Sequence, residues 1–179
     1  MYYPVMLRVK DEPCLVVGGG AVALQKARAL RRAGADVTAV SPAFSPAFRK
    51  LAVRRVQRRF RTGDVRGMVL VIAGTDSRAV NEAVYKACRR RSIPVNVVDV
   101  PALCSFIVPS ILRRGPVIVA VSTGGQSPSL AKALRRQLEA ILPRSLGKTA
   151  VRLGAARRRI LRALPPSPAR TRLLKGLVR

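Results

Sequence analysis

Histidine and tryptophan are absent from this chain of 179 residues, and only 8 residues are acidic. Without histidine there is no imidazole base, the commonest zinc ligand is missing and a Ser-His-Asp triad is excluded. The three cysteines contain no CxxC pair and no even disulfide framework, which favours a reducing, intracellular setting. No apolar run reaches the roughly 18 residues of a membrane span, and no signal peptide is visible. We therefore expect a cytoplasmic protein and no membrane partner.

Positive charge dominates what is present, because 35 Lys and Arg residues give a formal net charge of +27. Residues 49–61 hold seven basic side chains, residues 144–179 hold eleven, and neither segment contains an acid. Such a charge attracts polyanions, whether nucleic acid, an anionic membrane or a small molecule. Neither segment interleaves aromatic residues with the charge, which disfavours a base-stacking surface. Nucleic acid is therefore not the expected partner.

Residues 14–23 form the most informative stretch, an apolar strand followed by a glycine turn and the start of a helix. Gly18, Gly20 and Ala23 have the spacing G-x-G-x-x-A. In a dinucleotide-binding βαβ unit the first glycine allows a tight turn and the second lets a pyrophosphate approach the main chain. The third small residue lets the helix pack closely on the strand. Since a helical pattern and a second apolar strand follow, the stretch predicts dinucleotide binding.

Strand-like and helix-like segments alternate along the first half of the chain. This alternation predicts an α/β fold with a Rossmann-like parallel sheet. The predicted strands are 13–17, 36–40, 55–60, 68–73 and 93–98, and the predicted helices are 21–33, 46–53 and 77–91. Beyond them the sequence predicts a β-hairpin (105–112 and 117–121), a helix (129–142) and basic helical segments that break at Pro165-Pro166. The predicted parts are a nucleotide-binding domain (1–104), a hairpin with its helix (105–143) and a small helical C-terminal appendage (144–179).

Two carboxylates follow predicted parallel strands. Asp99 closes the apolar run 93–98, and Asp76 follows Gly74-Thr75 after the preceding strand. Ligands bind at the carboxyl edge of an open α/β sheet, so both side chains are candidates for the site. A purely structural interpretation stays open for each, as a turn before Pro101 for Asp99 and as a helix cap for Asp76.

The end of the second predicted strand bears on the choice of nucleotide. Ser41-Pro42 stands where NAD-binding folds usually carry an acid for the ribose 2′-hydroxyl. Serine can bind the ribose instead, whereas Arg49 or Lys50 nearby would suit a 2′-phosphate. The local chemistry therefore leaves NAD and NADP open.

Six short motifs stand in order along the chain: Tyr-Pro-Val (3–5), VVGGG-x-VA-x-x-KA (16–27), Ala-Gly-Thr-Asp (73–76), Asn-Val-Val-Asp (96–99), SFIVPS (105–110) and VSTGG-x-SP-x-LA (121–131). Together they resemble the precorrin-2 dehydrogenase / sirohydrochlorin ferrochelatase family, which includes the N-terminal module of sirohaem synthases. The resemblance covers about residues 2–150.

The resemblance implies NAD-linked oxidation of precorrin-2 to sirohydrochlorin, and in some members Fe²⁺ insertion in the same cleft. It implies that Asp99 is the catalytic carboxylate and that residues 105–143 form the dimerisation region of a homodimer. The residues expected to bind the cofactor are Gly18, Gly19, Gly20, Ala21, Val22, Ala23, Ser41, Pro42, Thr75, Asp76, Asn96 and Val97. Those expected to contact the tetrapyrrole, or in the loop the partner subunit, are Ser110, Ser122, Thr123, Gly124, Gly125 and Ser127. Metal ligands and the presence of chelatase activity stay open, as does the pathway that takes the product.

The chain also departs from the family. Thr123 stands where some members carry a phosphorylatable serine, and residues 144–179 are shorter and more basic than the usual C-terminal region. A macrocyclic substrate that carries many carboxylates would be attracted by the positive charge of the protein and bound by its arginines. Two other functions are considered: a dinucleotide-sensing regulatory module that binds nucleic acid through the basic tail, and a dehydrogenase of another anionic substrate.

Overall fold

A computed structural model describes residues 2–177. The predicted first and last parts of the chain also include Met1, Val178 and Arg179, which lie outside the described residues. The chain divides into two compact units between Val108 and Pro109. The predicted boundary after residue 104 falls inside the first unit, because residues 104–106 hydrogen-bond to its last strand.

The first unit is built on a five-stranded parallel sheet, which confirms the predicted fold class. Its strands are β1 (Pro13–Val17), β2 (Asp36–Ser41), β3 (Arg54–Gln57), β4 (Leu70–Ala73) and β5 (Val95–Val97). Their order across the sheet is β3-β2-β1-β4-β5. The chain therefore runs outward from β1 in one direction and then returns to fill the other side, so the order reverses between β1 and β4.

Helices cover both faces of this sheet. They are α1 (Ala21–Arg32), α2 (Pro46–Arg49) and α3 (Arg78–Arg89), with 3₁₀ turns at Thr62–Val65 and Pro101–Leu103. Strand residues alternate between two apolar clusters: Val16 packs with residues of α1 and α2, and Leu15 packs with residues of α3. Because β1 and β4 are buried on both faces, they consist of apolar residues with few exceptions.

Several predicted elements are shorter than expected, among them β4, which begins at Leu70 rather than at 68, and β5, which spans Val95–Val97 rather than 93–98. For two others the structure shows the cause. α2 ends at Arg49 rather than at 53, because the Arg55 guanidinium donates to the carbonyl oxygens of Arg49 (2.7 Å) and Leu51 (3.0 Å). Those bonds satisfy carbonyl groups that a longer helix would use. β3 ends at Gln57 rather than at 60, and Arg58 instead forms two hydrogen bonds with Asp64 (2.8 and 2.6 Å).

The second unit opens with the predicted hairpin, β6 (Ser110–Arg114) and β7 (Val117–Val121), which pair antiparallel. The helices α4 (Pro128–Ile141), α5 (Leu146–Ala163) and α6 (Pro168–Gly176) follow, and the predicted break at Pro165-Pro166 separates the last two. β6 begins later than predicted, because the strand-like residues 104–106 belong to the first unit. No helix among residues 2–177 is long and apolar enough to cross a bilayer.

Glu139, the only acidic residue after Asp99, connects the hairpin to α4. Its carboxylate pairs with Arg135 one turn earlier and with Arg114 of β6. The start of α5 also lies against the hairpin, since a Cβ added to the buried Gly147 would stand 2.6 Å from the Arg114 carbonyl oxygen. The Glu139 carboxylate and the close approach of Gly147 therefore connect the hairpin to α4 and to α5, respectively.

Candidate active site

The glycine turn after β1 is shaped by close contacts between main chains. Gly18 has φ +128°, and its N–H donates to the Val40 carbonyl (2.9 Å). A Cβ at Gly18 would collide with the Gly74 carbonyl oxygen and would stand 3.2 Å from the Cβ of Ala23. The first glycine of the motif therefore allows the turn, as predicted, and it also contributes to the close packing of α1, which the prediction assigned to Ala23 alone.

Gly19 and Gly20, the next two residues of the turn, differ in the space around them. A Cβ at Gly19 would collide with the carbonyl oxygen of Ala43, so that position is closed by the protein itself. A Cβ at Gly20 would meet no atom within 4 Å, and Gly20 is exposed. The space in front of Gly20 is open to an approaching ligand, which suits the predicted role of the second glycine in the motif.

The start of α1 offers free hydrogen-bond donors. Its first helical hydrogen bond runs from Leu24 N–H to the Gly20 carbonyl (3.0 Å), so the N–H groups of Ala21, Val22 and Ala23 have no acceptor within the helix. No side chain among the described residues caps this helix, and its first turn contains no acid. Four other helices begin with a serine hydroxyl that accepts a main-chain N–H: Ser45, Ser77, Ser127 and Ser167. A free N-terminus beside an open glycine fits the diphosphate of a dinucleotide.

The end of β4 approaches the same turn. Gly74 N–H donates to the Val17 carbonyl (2.8 Å), and Asp76 is exposed beyond it. The Thr75 hydroxyl donates to the Asn81 Oδ1 (2.9 Å), and the Asn81 amide donates back to the Thr75 carbonyl (2.9 Å). Sequence reasoning missed Asn81, although a polar residue on the buried face of α3 was visible from its helical spacing.

At the end of β2, the Ser41 side chain is buried and its hydroxyl donates to the Ala43 carbonyl (2.7 Å). The hydroxyl that was predicted to bind the ribose therefore also shapes the loop. Pro42 is exposed beside it, and no carboxylate ends this strand. That ribose contact stays a prediction.

Asp99 lies in a turn directly after β5. Val100 N–H donates to the Val97 carbonyl (3.2 Å) across this turn, and Val98 N–H donates to the Ala73 carbonyl of β4 (2.9 Å). Asp99 has φ +60° and is exposed. A non-glycine residue in the left-handed region is uncommon, and such residues cluster at functional sites.

The adjacent predicted cofactor residues have partners within the unit. The Asn96 side chain is buried, and its amide donates to the Phe106 carbonyl (3.0 Å) and faces the Cys104 sulfur (3.5 Å). Val97 N–H also points to that sulfur (3.3 Å). Their predicted contacts with a cofactor stay untested.

The parallel order of the sheet brings the candidate residues of the first unit to one edge. β1, β4 and β5 are neighbours, so their carboxyl ends place Gly18–Gly20, Gly74–Asp76 and Asp99 side by side. This edge is also where the strand order reverses, which is the usual ligand position in open α/β sheets.

The predicted substrate loop belongs to the second unit and is stabilised by its own hydrogen bonds. The Thr123 hydroxyl accepts from Ser127 N–H (3.0 Å) and donates to the Ser127 carbonyl (2.9 Å). The Ser122 hydroxyl accepts from Gly124 N–H (3.1 Å), and Gly125 is exposed. Ser110 is half-buried at the start of β6. Within residues 2–177, no three His, Cys, Asp or Glu side chains are grouped as metal ligands.

Comparison with known proteins matches both units. The family model described as "Putative NAD(P)-binding" matches residues 5–110, and the model "Sirohaem biosynthesis protein central" matches residues 114–141. A siroheme synthase of Thioalkalivibrio sulfidiphilus is 45% identical over 181 aligned positions, which cover 99% of this chain and 37% of the relative. A siroheme synthase of Nitrosomonas eutropha is 51% identical over 154 positions, which cover 83% of this chain and 32% of the relative.

Among solved structures, the precorrin-2 dehydrogenase SirC superposes with a TM-score of 0.84 at 25% identity, covering 99% of this chain and 90% of that one. The chain spans about a third of the length of the curated siroheme synthases that it matches. SirC, by contrast, is matched over nearly its whole length.

Proposed function

We propose that this chain, which belongs to the precorrin-2 dehydrogenase family of sirohaem biosynthesis, oxidises precorrin-2 to sirohydrochlorin with NAD⁺. The observation that carries the proposal is the sheet edge at which an uncapped helix N-terminus and an open Gly20 lie beside the strand that ends in Asp99. The similarity to SirC over 99% of the chain supports the same activity. The comparisons give no support to a nucleic-acid-binding regulatory module.

The first unit holds the nucleotide. The main-chain N–H groups of Ala21, Val22 and Ala23 receive the diphosphate, and Gly20 leaves room for it. The carboxyl end of β2, at Ser41 and Pro42, receives the adenosine ribose. NAD⁺, when bound there, would act as the two-electron acceptor for a hydride from a C–H bond of the substrate.

Asp99 takes the proton that must leave the macrocycle when the hydride leaves. Asp99 is exposed, so its carboxylate is accessible to a substrate. The hydride leaves with its electron pair, whereas the electron pair of the bond that loses the proton stays with the macrocycle and forms the new double bond. Because Asp99 has a left-handed main-chain conformation, its side chain does not follow the alternating directions of side chains along β5. Asp99 is therefore the catalytic residue of the proposal.

The charge of the second unit suits a polycarboxylate substrate. Glu139 is its only acid, and its carboxylate is already paired with Arg114 and Arg135. The many other basic side chains therefore attract the substrate without competition from a neighbouring acid. The loop with Ser122, Thr123, Gly124, Gly125 and Ser127 contacts the substrate or the partner subunit.

The protein is a homodimer in this proposal, and the apolar face of α4 supports it. Leu130, Leu134 and Ile141 are 50%, 38% and 75% exposed, and their spacing places them on one side of the helix. The hairpin has only two strands, and Ile111 is exposed on it. An isolated hairpin is marginally stable in water, so a second copy that covers these side chains would stabilise it.

The test is to mix the protein with NAD⁺ and precorrin-2 and to follow the formation of NADH together with the spectrum of sirohydrochlorin. Stoichiometric formation of both products is expected. NADH formation with other anionic substrates but not with precorrin-2 would favour a different dehydrogenase, and no turnover with any of them would refute the activity. Insertion of Fe²⁺ into the product stays a prediction, assayed without NAD⁺.

A further inference from the structure

β5 is an edge strand, and its outer edge is closed by side chains rather than by another strand. Ser105 returns to Val95: its N–H donates to the Val95 carbonyl (2.8 Å), and its hydroxyl accepts from Val95 N–H (2.8 Å). Two residues further along β5, the Val97 N–H donates to the Cys104 sulfur, and the Val97 carbonyl accepts from both the Cys104 thiol and the Val100 N–H. Residues 98–103, which include Asp99, thus form a loop whose two ends are fixed to the same short strand.

The Cys104 sulfur connects both ends of the turn that contains Asp99. It accepts from Val97 N–H (3.3 Å), and it lies 3.1 Å from the Val97 carbonyl oxygen and 3.4 Å from that of Val100. Val97 and Val100 are the first and last residues of the turn, so one atom contacts the residues on either side of Asp99. Burial raises the pKa of this thiol, which keeps it protonated and able to donate.

Asn96 strengthens the same arrangement from inside the unit. Its buried amide donates to the Phe106 carbonyl (3.0 Å) and faces the Cys104 sulfur (3.5 Å). The amide therefore fixes the chain on both sides of Ser105. Asn96 and Cys104 together hold residues 104–106 in place, and these residues anchor the loop.

We infer that Asn96 and Cys104 are positioning residues, which fix the Val97–Val100 turn and thereby aim the Asp99 carboxylate at the substrate. The inference rests on the proposed function. The left-handed conformation is less favourable than the right-handed one even for an aspartate, by on the order of 1 kcal/mol, so contacts that fix the turn favour its persistence. Without the thiol and the amide, the loop samples other conformations and the carboxylate is misplaced for part of the time. A small misplacement of a reacting group lowers the rate strongly.

The experiment compares Cys104→Ala with Cys104→Ser and with Cys88→Ala. Cys88→Ala is the control, because it also removes a thiol, from a buried position on α3 rather than from the half-buried position of Cys104. We expect Cys104→Ala to lower kcat by about tenfold or more while the Kd for NAD⁺ changes by less than about twofold. Cys104→Ser restores most of kcat, because a hydroxyl can donate and accept at the same place. Cys88→Ala keeps the wild-type kcat.

Amide hydrogen exchange gives a second measurement that does not depend on turnover. Exchange at Val97 and Val100 accelerates in Cys104→Ala and stays as in the wild type in Cys88→Ala. If Cys104→Ala does not fold, the same two measurements are made on Asn96→Ser, whose side chain is too short to reach the Phe106 carbonyl.

The outcomes separate the inference from the proposed function. A wild-type protein without precorrin-2 oxidation refutes the function itself. An active wild-type protein whose Cys104→Ala variant keeps full kcat and slow exchange at Val97 and Val100 refutes the inference alone. Loss of NAD⁺ binding in parallel with kcat also refutes it, because the damage would then extend beyond the turn.

Discussion

Gly18 and Gly74 face each other so closely that a Cβ on Gly18 would collide with the Gly74 carbonyl oxygen. The contact joins the turn after β1 to the end of β4, the two strands between which the sheet order reverses. Because it involves main-chain atoms, no side-chain rearrangement can make room for a larger residue. The position of α1, and with it the helix N-terminus that we propose binds the diphosphate, depends on this contact.

Gly18→Ala is therefore expected to lower stability, whereas Gly20→Ala is expected to weaken nucleotide binding. Gly18→Ala adds a Cβ at φ +128° against Gly74 and should lower the free energy of unfolding by more than about 1 kcal/mol. Gly20→Ala meets no protein atom and should leave stability almost unchanged, but its Cβ enters the space for the diphosphate. We expect it to weaken NAD⁺ binding by about tenfold or more, equivalent to about 1.4 kcal/mol. Urea denaturation and nucleotide titration of both variants measure this, and tight NAD⁺ binding by Gly20→Ala would contradict it.

Asp99→Asn should separate the chemistry of Asp99 from its conformation. Asparagine tolerates the left-handed region as well as aspartate does, so the turn should keep its shape. The amide cannot accept the proton, and we expect kcat to fall by about 10²- to 10⁴-fold with an unchanged melting temperature. Steady-state kinetics and calorimetry check this. A full rate in Asp99→Asn would show that another group takes the proton.

The sequence predicted the sheet well because β1, β4 and β5 lie in apolar runs bounded by turns, and such runs depend on local composition. The sequence-based prediction failed where contacts between residues far apart in the chain determine the local structure. Residues 105–109 look like a strand, but Ser105 is bound to the edge of β5 and the hairpin begins at Ser110. The contact of Asn96 with the cofactor, which the family resemblance implies, stays a prediction, whereas its contacts within the unit were not foreseen. Its buried partners, Cys104 and Phe106, return from a later segment that no local pattern identifies.

The Arg58–Asp64 pair should make the free energy of unfolding fall as the pH is lowered. Hydrogen bonds from the Arg58 guanidinium, together with Arg61 N–H, hold the pKa of the Asp64 carboxyl below its ordinary value. In the unfolded chain an aspartate titrates near pKa 3.9, so the stabilisation is complete above about pH 4 and is lost as pH falls through the lower folded pKa.

Replacement of Asp64 by Asn should reduce the fall in unfolding free energy below about pH 4 and should cost about 1 kcal/mol at neutral pH. Chemical denaturation between pH 2 and pH 7 measures both quantities. Asp36→Asn, which changes an exposed carboxylate at the start of β2, serves as the control. An identical acid profile for the wild type and Asp64→Asn would show that the pair does not contribute.

Gly147→Ala and Gly154→Ala test the contact between α5 and the hairpin. In an open helix the change to alanine stabilises by up to about 1 kcal/mol. Gly154 has such space, since its added Cβ would meet only the end of the Arg158 side chain, at 3.5 Å. At Gly147 the added Cβ would stand 2.6 Å from the Arg114 carbonyl oxygen, so we expect a loss of stability instead. Thermal unfolding of the two variants should shift in opposite directions, and a gain at Gly147 would contradict the packing described here.

Leu134→Glu should disrupt the proposed dimer. The substitution places a charge in the apolar stripe of α4, where burial in an interface would be costly. Sedimentation equilibrium should show a dimer for the wild type and a monomer for this variant. Leu173→Glu on α6 alters another exposed leucine, outside the stripe, and should stay dimeric. A dimeric Leu134→Glu would place the interface elsewhere.

The two borders of the parallel sheet are protected in different ways. At β5 the returning residues Cys104 and Ser105 occupy the outward main-chain groups, so an incoming strand finds no donors or acceptors there. At β3 the exposed Arg54 and Arg55 present like charges to any identical strand that approaches. Runaway edge-to-edge polymerisation of the nucleotide-binding half is thereby discouraged. Copies of this sheet are therefore expected to stay separate at high protein concentration instead of joining edge to edge into fibres.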